Sequence, residues 1–309
     1  MATVVQVERL HKRYGERTVL DSVSFGVEDG EIFGVLGPNG AGKTTAVECL
    51  SGLRRPDGGT VRVLGLDPRT ERDRLRRVLG VQLQESRLAD RMRVGEALDL
   101  YASFYSEPAD WRELMELVGL ADRRDTPYAK LSGGQKQRLS IALALIGRPR
   151  VAILDEITTG LDPQARRDAW ELIEAVRAGG VTIVLVTHFM EEAERLCDRV
   201  ALFDAGRVAA VDTPAGLVGR SAARQRVVFR PSAPFEDRLL TELPEVAELV
   251  RTGARVEVAG SGELLHAVTA ALARHQVVAG DLRVHHPTLD DAFVALTGRR
   301  LGTEQESPR

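Results

Sequence analysis

The chain has 309 residues, 43% of them hydrophobic, and a formal net charge of −3. That length predicts two domains, and the nearly balanced charge gives no argument for nucleic acid as a partner. The longest apolar runs, such as residues 181–186, are far too short for a membrane span, no basic start leads into an apolar secretory stretch, and the two cysteines, Cys49 and Cys197, fit a reducing compartment and have no metal-ligand spacing.

Residues 3–10 alternate like a strand, and 17–28 look like two more short strands. Between them, Lys12-Arg13-Tyr14-Gly15 reads as a turn. An aromatic there can stack on a flat ring such as adenine, though an ordinary turn tyrosine has the same appearance. Residues 32–36 read as a short buried strand and 45–50 as the start of a helix. Between these lies Gly37-Pro38-Asn39-Gly40-Ala41-Gly42-Lys43-Thr44-Thr45, which fits the phosphate-binding pattern G-x-x-x-x-G-K-[ST]. Strand, glycine-rich turn and helix is the context that the motif needs. The glycines let the backbone wrap so that N–H groups point at an anion, and the helix adds the positive end of its dipole. Lys43 is placed to reach the β- and γ-phosphates, and the Thr44 hydroxyl to ligate Mg²⁺. Lys43 also stands out by composition: the only other lysines are Lys12, Lys130 and Lys136, against 42 lysines and arginines together.

Further along, 52–68 carries strong turn signals around a short strand at 60–64, and 70–77 reads as a charged, self-paired helix. Residues 78–85 look like a strand running out into a loop, with Gln82 and Gln84 as candidates for polar contact. Apolar residues recur at helical spacing over 94–105 and 111–120, within a helical insertion of about 86–145 that has breaks at Glu107-Pro108 and Thr126-Pro127. Leu131-Ser132-Gly133-Gly134-Gln135 then opens a long helix, 135–146, with Ser132 as its natural N-cap. The N–H groups of Gly133, Gly134 and Gln135 make a second anion site there, or simply a capped helix.

The run 151–156 is apolar until it ends in Asp155 and Glu156. A continuous apolar strand belongs in the middle of a parallel sheet, and ligands bind at the carboxyl ends of such strands. Asp155 is therefore placed to hold Mg²⁺ and Glu156 to orient or deprotonate a water. A second buried strand, 181–187, ends at His188, where the imidazole can hydrogen-bond a γ-phosphate. Residues 190–197 read as helix, and 200–203 with 207–211 as a hairpin.

In their order and spacing these motifs closely resemble the nucleotide-binding subunit of an ATP-binding cassette (ABC) transporter. Tyr14 matches the family's adenine-stacking aromatic, Gly37 to Thr45 its phosphate loop and Gln84 its glutamine loop, with Gln82 as the weaker match. The family signature is intact at 131–135, the metal strand matches 153–156, the D-loop matches Thr159-Gly160-Leu161-Asp162, and His188 matches the switch histidine. One residue departs: the family usually has proline after the Asp-Glu pair, and Ile157 stands there, which loosens the loop without removing a chemical group.

The resemblance implies an α/β fold: a P-loop NTPase ABC ATPase domain with an antiparallel β subdomain and a helical insertion. It implies ATP and Mg²⁺ as ligands. Glu156, His188 and Gln84 would be catalytic, and Thr44, Gln84 and Asp155 would hold the metal. It also implies a head-to-tail homodimer in which Ser132, Gly133, Gly134 and Gln135, with Asp162, reach the nucleotide held by the other subunit. Hydrolysis would then drive an integral membrane permease, with this chain peripheral on the cytoplasmic face of the cell membrane and no nucleic acid expected. Two other readings are a soluble ABC ATPase acting on ribosomes or nucleic acid, and a nucleotide-dependent regulatory dimer without turnover. The tandem cassettes, long coiled coils and zinc motifs of the soluble members are absent from the sequence.

The first domain is expected to span 1–218. After a linker at 219–225, the elements read as β-α-β-β-α-β, a small α+β unit of ferredoxin-like order over 219–301, followed by a polar tail, 302–309, expected to be disordered. The helix predicted at 287–298 resembles the end of the daunorubicin-resistance type of ABC ATPase, which implies export of a drug-like or hydrophobic compound.

Overall fold

The first two strands, β1 (Thr3–Tyr14) and β2 (Arg17–Glu28), form a long antiparallel hairpin. These and the following elements come from a computed structural model that describes residues 2–83, 88–221 and 224–298. The sequence predicts two short strands over 17–28, but the structure has one. Register shifts run along the hairpin, and Arg9 and Ser22 sit at φ 49° and 57°. Such bulges interrupt the alternation of buried residues without ending the strand. Tyr14 is accordingly the last residue of β1, not a turn residue.

The chain continues through β3 (Ile32–Leu36), α1 (Lys43–Leu50), β4 (Gly58–Val63), α2 (Arg72–Leu75), β5 (Leu79–Gln82), α3 (Val94–Ala102), α4 (Trp111–Leu117), α5 (Gly133–Leu145), β6 (Val151–Asp155), α6 (Pro163–Ala178), β7 (Thr182–Thr187), α7 (Met190–Leu196), β8 (Arg199–Asp204) and β9 (Arg207–Asp212). β4 joins the hairpin to make a three-stranded antiparallel sheet, β2-β1-β4. The other strands form a six-stranded sheet, β5-β6-β7-β3-β8-β9, parallel except for β9. Every residue of β3, β6 and β7 is buried, as expected for apolar runs covered on both faces. The predicted charged helix at 70–77 is only the single turn α2, with Leu75 as its one buried residue. Without an apolar stripe to pack, a short charged segment gains too little to stay helical.

Both sheets share a core. Phe25 of β2 stacks on Phe33 of β3 at 5.4 Å and meets Phe203 of β8 edge-on at 6.1 Å. Burying an aromatic of this size contributes about 1.5–3 kcal/mol. Both cysteines are buried as well, and Cys49 belongs to this same core.

The order of the parallel strands positions the site. β3 and β6 lie on either side of β7, with Leu36 opposite Thr187 and Asp155 opposite Val186. The loops that leave β3, β6 and β7 therefore emerge side by side at one edge of the sheet.

A second compact unit begins at Ala215. The sequence predicts the first domain to end at 218 and a linker to follow; residues 214–220 instead form α8 (Pro214–Arg220), with proline suited to open a helix. Then come β10 (Gln225–Pro231), α9 (Arg238–Thr241), β11 (Val246–Thr252), β12 (Arg255–Gly260), α10 (Leu264–Arg274), β13 (Ala279–His285) and α11 (Leu289–Thr297). The strands form an antiparallel sheet, β11-β12-β10-β13. Val227, Phe229, Val256 and Val258 from the sheet share a core with Leu240 of α9 and Leu264, Val268 and Leu272 of α10.

Candidate nucleotide site

α1 starts from Gly42, held at φ +100°. A Cβ there would meet the Val19 carbonyl and Leu20 Cδ2, both at 2.8 Å, and a Cβ on Gly37 would come within 2.2 Å of the Phe203 carbonyl. Both glycines are therefore steric requirements of the turn. No side chain caps the first turn of α1, so its N–H groups are open to an anion. Within the loop, the Ala41 N–H donates to the Pro38 carbonyl at 3.2 Å. Lys43 Nζ donates to the Gly37 and Pro38 carbonyls at 2.8 and 3.1 Å. Burial pushes the Lys43 ammonium below its ordinary pKa, while the Glu156 and Asp155 carboxylates resist that fall.

Asn39, Gly40, Gly42, Lys43, Thr44 and Thr45 line an open cavity of about 550 Å³ together with Tyr14, Glu156 and His188. One cavity thus collects residues from β1, the phosphate loop, the end of β6 and the end of β7. Tyr14 stands at its rim, 40% exposed, with Lys12 Nζ and the Arg54 guanidinium 5.5 and 5.3 Å from its ring centroid. Arg17, Val19 and Thr159 also line it. No motif marks Arg17 or Val19, which arrive through the β1–β2 hairpin. Thr159 comes from the start of the D-loop match, three residues after Glu156.

Asp155, the last residue of β6, is 1% exposed. Its N–H donates to Gln82 Oε1 at 3.0 Å, and Gln82 Nε2 donates to the Leu83 carbonyl at 2.9 Å. Gln82 is thereby committed to backbone, and Gln84 lies outside the described residues. Neither carboxylate oxygen of Asp155 has a hydrogen-bond partner among the described residues. Burial, reinforced by Glu156 and opposed by Lys43, lifts its pKa from 3.8 to about 6. Two orphaned buried oxygens are costly unless something satisfies them. A hard divalent cation fits that need, with the Thr44 hydroxyl as a further oxygen ligand. No group of three or more His, Cys, Asp or Glu side chains suited to a metal occurs among the described residues, so the protein would offer few ligands of its own, as Mg²⁺ sites with bound phosphates do.

Glu156 follows at φ +49°, a strained backbone for a residue with a side chain. Its N–H donates to the Val186 carbonyl at 2.9 Å, and its Oε1 lies 3.2 Å from His188 Nδ1. A carboxylate and an imidazole in contact at the cavity wall form a unit able to take and hold a proton.

The signature turn lies elsewhere. Ser132 accepts from the Gln135 N–H at 3.2 Å, and Gln135 Oε1 accepts from the Ser132 N–H at 3.0 Å, a reciprocal cap on α5. Gly133 is exposed, and a Cβ on Gly134 would meet Ala165 Cβ at 3.3 Å. Asp162 caps α6 by accepting from the Gln164 and Ala165 N–H groups. Those bonds, Ala165's first, hold its carboxyl below the usual range. Ser132, Gly133, Gly134, Gln135 and Asp162 do not line the cavity that holds Lys43 and Glu156.

A parallel sheet with a phosphate loop, a buried aspartate and a Glu–His pair at its carboxyl edge defines a P-loop nucleotide-binding protein. Residues 20–159 match the family model described as ABC transporter. The chain is 39% identical to the "Nod factor export ATP-binding protein I" of Ralstonia nicotianae, over 96% of this chain and 95% of that one. It is 37% identical to the "Daunorubicin resistance ATP-binding protein DrrA2" of Streptomyces coeruleorubidus, with the same coverage. A solved "ATP binding subunit of ABC transporter" superimposes with a TM-score of 0.64 at 30% identity, covering 70% of this chain and 92% of that one. The chain belongs to the ABC transporter family, among its export-type ATP-binding subunits, and is an ATPase. No described helix is long and apolar enough to cross a membrane.

Proposed function

We propose that this chain is the motor of an exporter: a homodimer that closes around two molecules of ATP with Mg²⁺ and drives a separate integral membrane permease from the cytoplasmic face of the membrane. The observation that carries the reading is the separation of two half-sites. The chain has an intact signature turn, capped and in part exposed, that does not line its own nucleotide cavity. A second copy supplies what that cavity lacks. Ser132, Gly133, Gly134 and Gln135 of one subunit, with Asp162 beside them, would face the phosphates held by the other.

In this reading the loop amides from Gly37 to Thr45 and the Lys43 ammonium bind the β- and γ-phosphates, and Tyr14 receives the adenine. Thr44 and Asp155, with Gln84, would hold Mg²⁺, which when bound neutralises phosphate charge. Glu156 orients the attacking water and takes its proton, and His188, in contact with Glu156, hydrogen-bonds the γ-phosphate. The gain comes from positioning and charge.

The cargo follows only from kinship. Relatives bear the names Nod factor export and daunorubicin resistance, which supports outward transport and, for one branch, a drug-like or hydrophobic compound. The unit beginning at Ala215 is assigned a ferredoxin-like fold, a reading supported by its β-α-β-β-α-β sequence of elements and its strand order β11-β12-β10-β13.

The test is affinity purification of a tagged Glu156→Gln chain from mild detergent with ATP and Mg²⁺. A stoichiometric integral membrane protein is expected to accompany the trapped dimer. Recovery of ribosomes, nucleic acid or the soluble dimer alone would overturn the transporter reading.

A further inference from the structure

A carboxyl that the motifs do not mark lies behind the Glu156–His188 pair. Glu192, in the first turn of α7, is fully buried, with 0% of its surface exposed. Its Oε1 accepts from Trp170 Nε1 of α6 at 3.1 Å. The Thr187 and Thr158 hydroxyls also face it, and with Trp170 and the Arg166 guanidinium they oppose the rise in pKa that burial imposes. Glu192 Oε2 and Thr158 Oγ1 are buried and have no hydrogen-bond partner among the described residues. An acidic side chain in such a place is costly and needs a reason beyond packing.

The placement of its neighbours supplies the reason. Thr187 directly precedes His188, and Thr158 lies two residues after Glu156. Trp170 belongs to α6, whose N-cap is Asp162. The Trp170 bond therefore ties the first turn of α7 to α6, with Thr187 and Thr158 among the groups that face the carboxyl. The same helix reaches His188 by a second route. The Arg166 guanidinium lies 4.7 Å from the Phe189 ring centroid, and that ring packs on His188 at 4.1 Å. The loop after Glu156 has special need of an anchor. It has Ile157 where proline would have restricted the backbone, and Glu156 itself sits at φ +49°. A strained residue keeps its conformation only when its surroundings hold it there.

We propose that Glu192 is a positioning residue for ATP hydrolysis: by bonding Trp170 and so fixing the start of α7 on α6, it holds His188 in the contact with Glu156 that the reaction uses. It touches neither nucleotide nor water. This inference rests on the reading of Glu156 and His188 as the hydrolytic pair.

The variants are Glu192→Met, which keeps the volume and removes the hydrogen bond, and Glu192→Gln, which keeps an acceptor for Trp170. Trp170→Phe removes the N–H that Glu192 Oε1 accepts from and guards against a Glu192→Met chain that fails to fold. Steady-state kinetics are measured well below each variant's Tm and normalised to folded protein, beside equilibrium binding of ATP. Glu192→Met is expected to lower kcat by about 10- to 100-fold, the range that a small misplacement of a catalytic group produces. ATP affinity should stay within about threefold because no phosphate contact is removed. Trp170→Phe should lower kcat in the same direction, and Glu192→Gln should restore most of the loss. Combined with Glu156→Gln, the Glu192→Met change should add nothing to the kcat defect. An unchanged kcat in Glu192→Met and Trp170→Phe, a loss confined to Tm, or a full additive loss on top of Glu156→Gln would overturn the proposal. Full turnover by Glu156→Gln alone would instead remove the reading beneath it, so the two failures are distinguishable.

Discussion

Asp155 shows how a single residue can be unfavourable for the empty fold and useful to the site. Its carboxyl titrates at about 6 in the folded chain, against an ordinary 3.8. The folded state therefore holds this proton more tightly than the unfolded one. Above about pH 6 the charged, unpartnered carboxylate reduces stability, and the penalty fades as the pH falls through 6 toward 4. Asp155→Asn should consequently stabilise the protein without nucleotide or Mg²⁺ by on the order of 1–3 kcal/mol near pH 7.5, with the gain shrinking toward zero below pH 4. Urea unfolding of both proteins at two pH values measures this. An equal gain at both would assign it to packing instead of ionisation. Added Mg²⁺ and ATP should reverse the ranking, because a ligand that binds only the wild-type folded site stabilises that protein alone.

The elements differ in how well they were written into the sequence. β3, β6 and β7 were legible because strands buried on both faces must be continuous apolar runs, and the phosphate loop because its glycines have no substitutes. Gly42→Ala tests that last point at the level of the turn. It forces a methyl to 2.8 Å from the Val19 carbonyl at φ +100°, a strain of about 1–3 kcal/mol. The variant is expected to lose ATP binding as α1 shifts, measured by titration with a fluorescent analogue. The hairpin was less legible: bulges at Arg9 and Ser22 break the alternation that marks a strand. α2 was overread, since charge pairs at helical spacing favour a helix only slightly without buried residues. Within the candidate site, Asp155 and Glu156 stand out at the end of an apolar strand, and His188 does so only in the company of the phosphate loop and that pair. Arg17 and Val19 come near only through tertiary folding, and Glu192 is one acidic residue among several in a helix whose pattern does not say which of them points inward.

At the scale of the whole molecule, the half-site argument makes a prediction that no single chain can meet. A Lys43→Ala chain lacks its phosphate anchor, and a chain with a charged residue at Gly134 lacks its signature, so each alone should be inactive. Mixed, they should form heterodimers, if the chain pairs head to tail as proposed, with one site built from an intact phosphate loop and an intact signature, and ATP turnover should reappear. Phosphate release from equimolar mixtures measures it, and silence across all ratios would deny the head-to-tail arrangement. The core also makes such assemblies easy to trap. Burial pushes the Cys49 thiol up to about 11 and that of Cys197 higher than usual as well, so at neutral pH neither presents thiolate to a reagent. The natural chain thus presents no reactive thiol to maleimides. A cysteine introduced at Asn39 and another at Ser132 would be the reactive thiols in the assembly, and a covalent dimer between them would report on closure with neither native cysteine first having to be replaced.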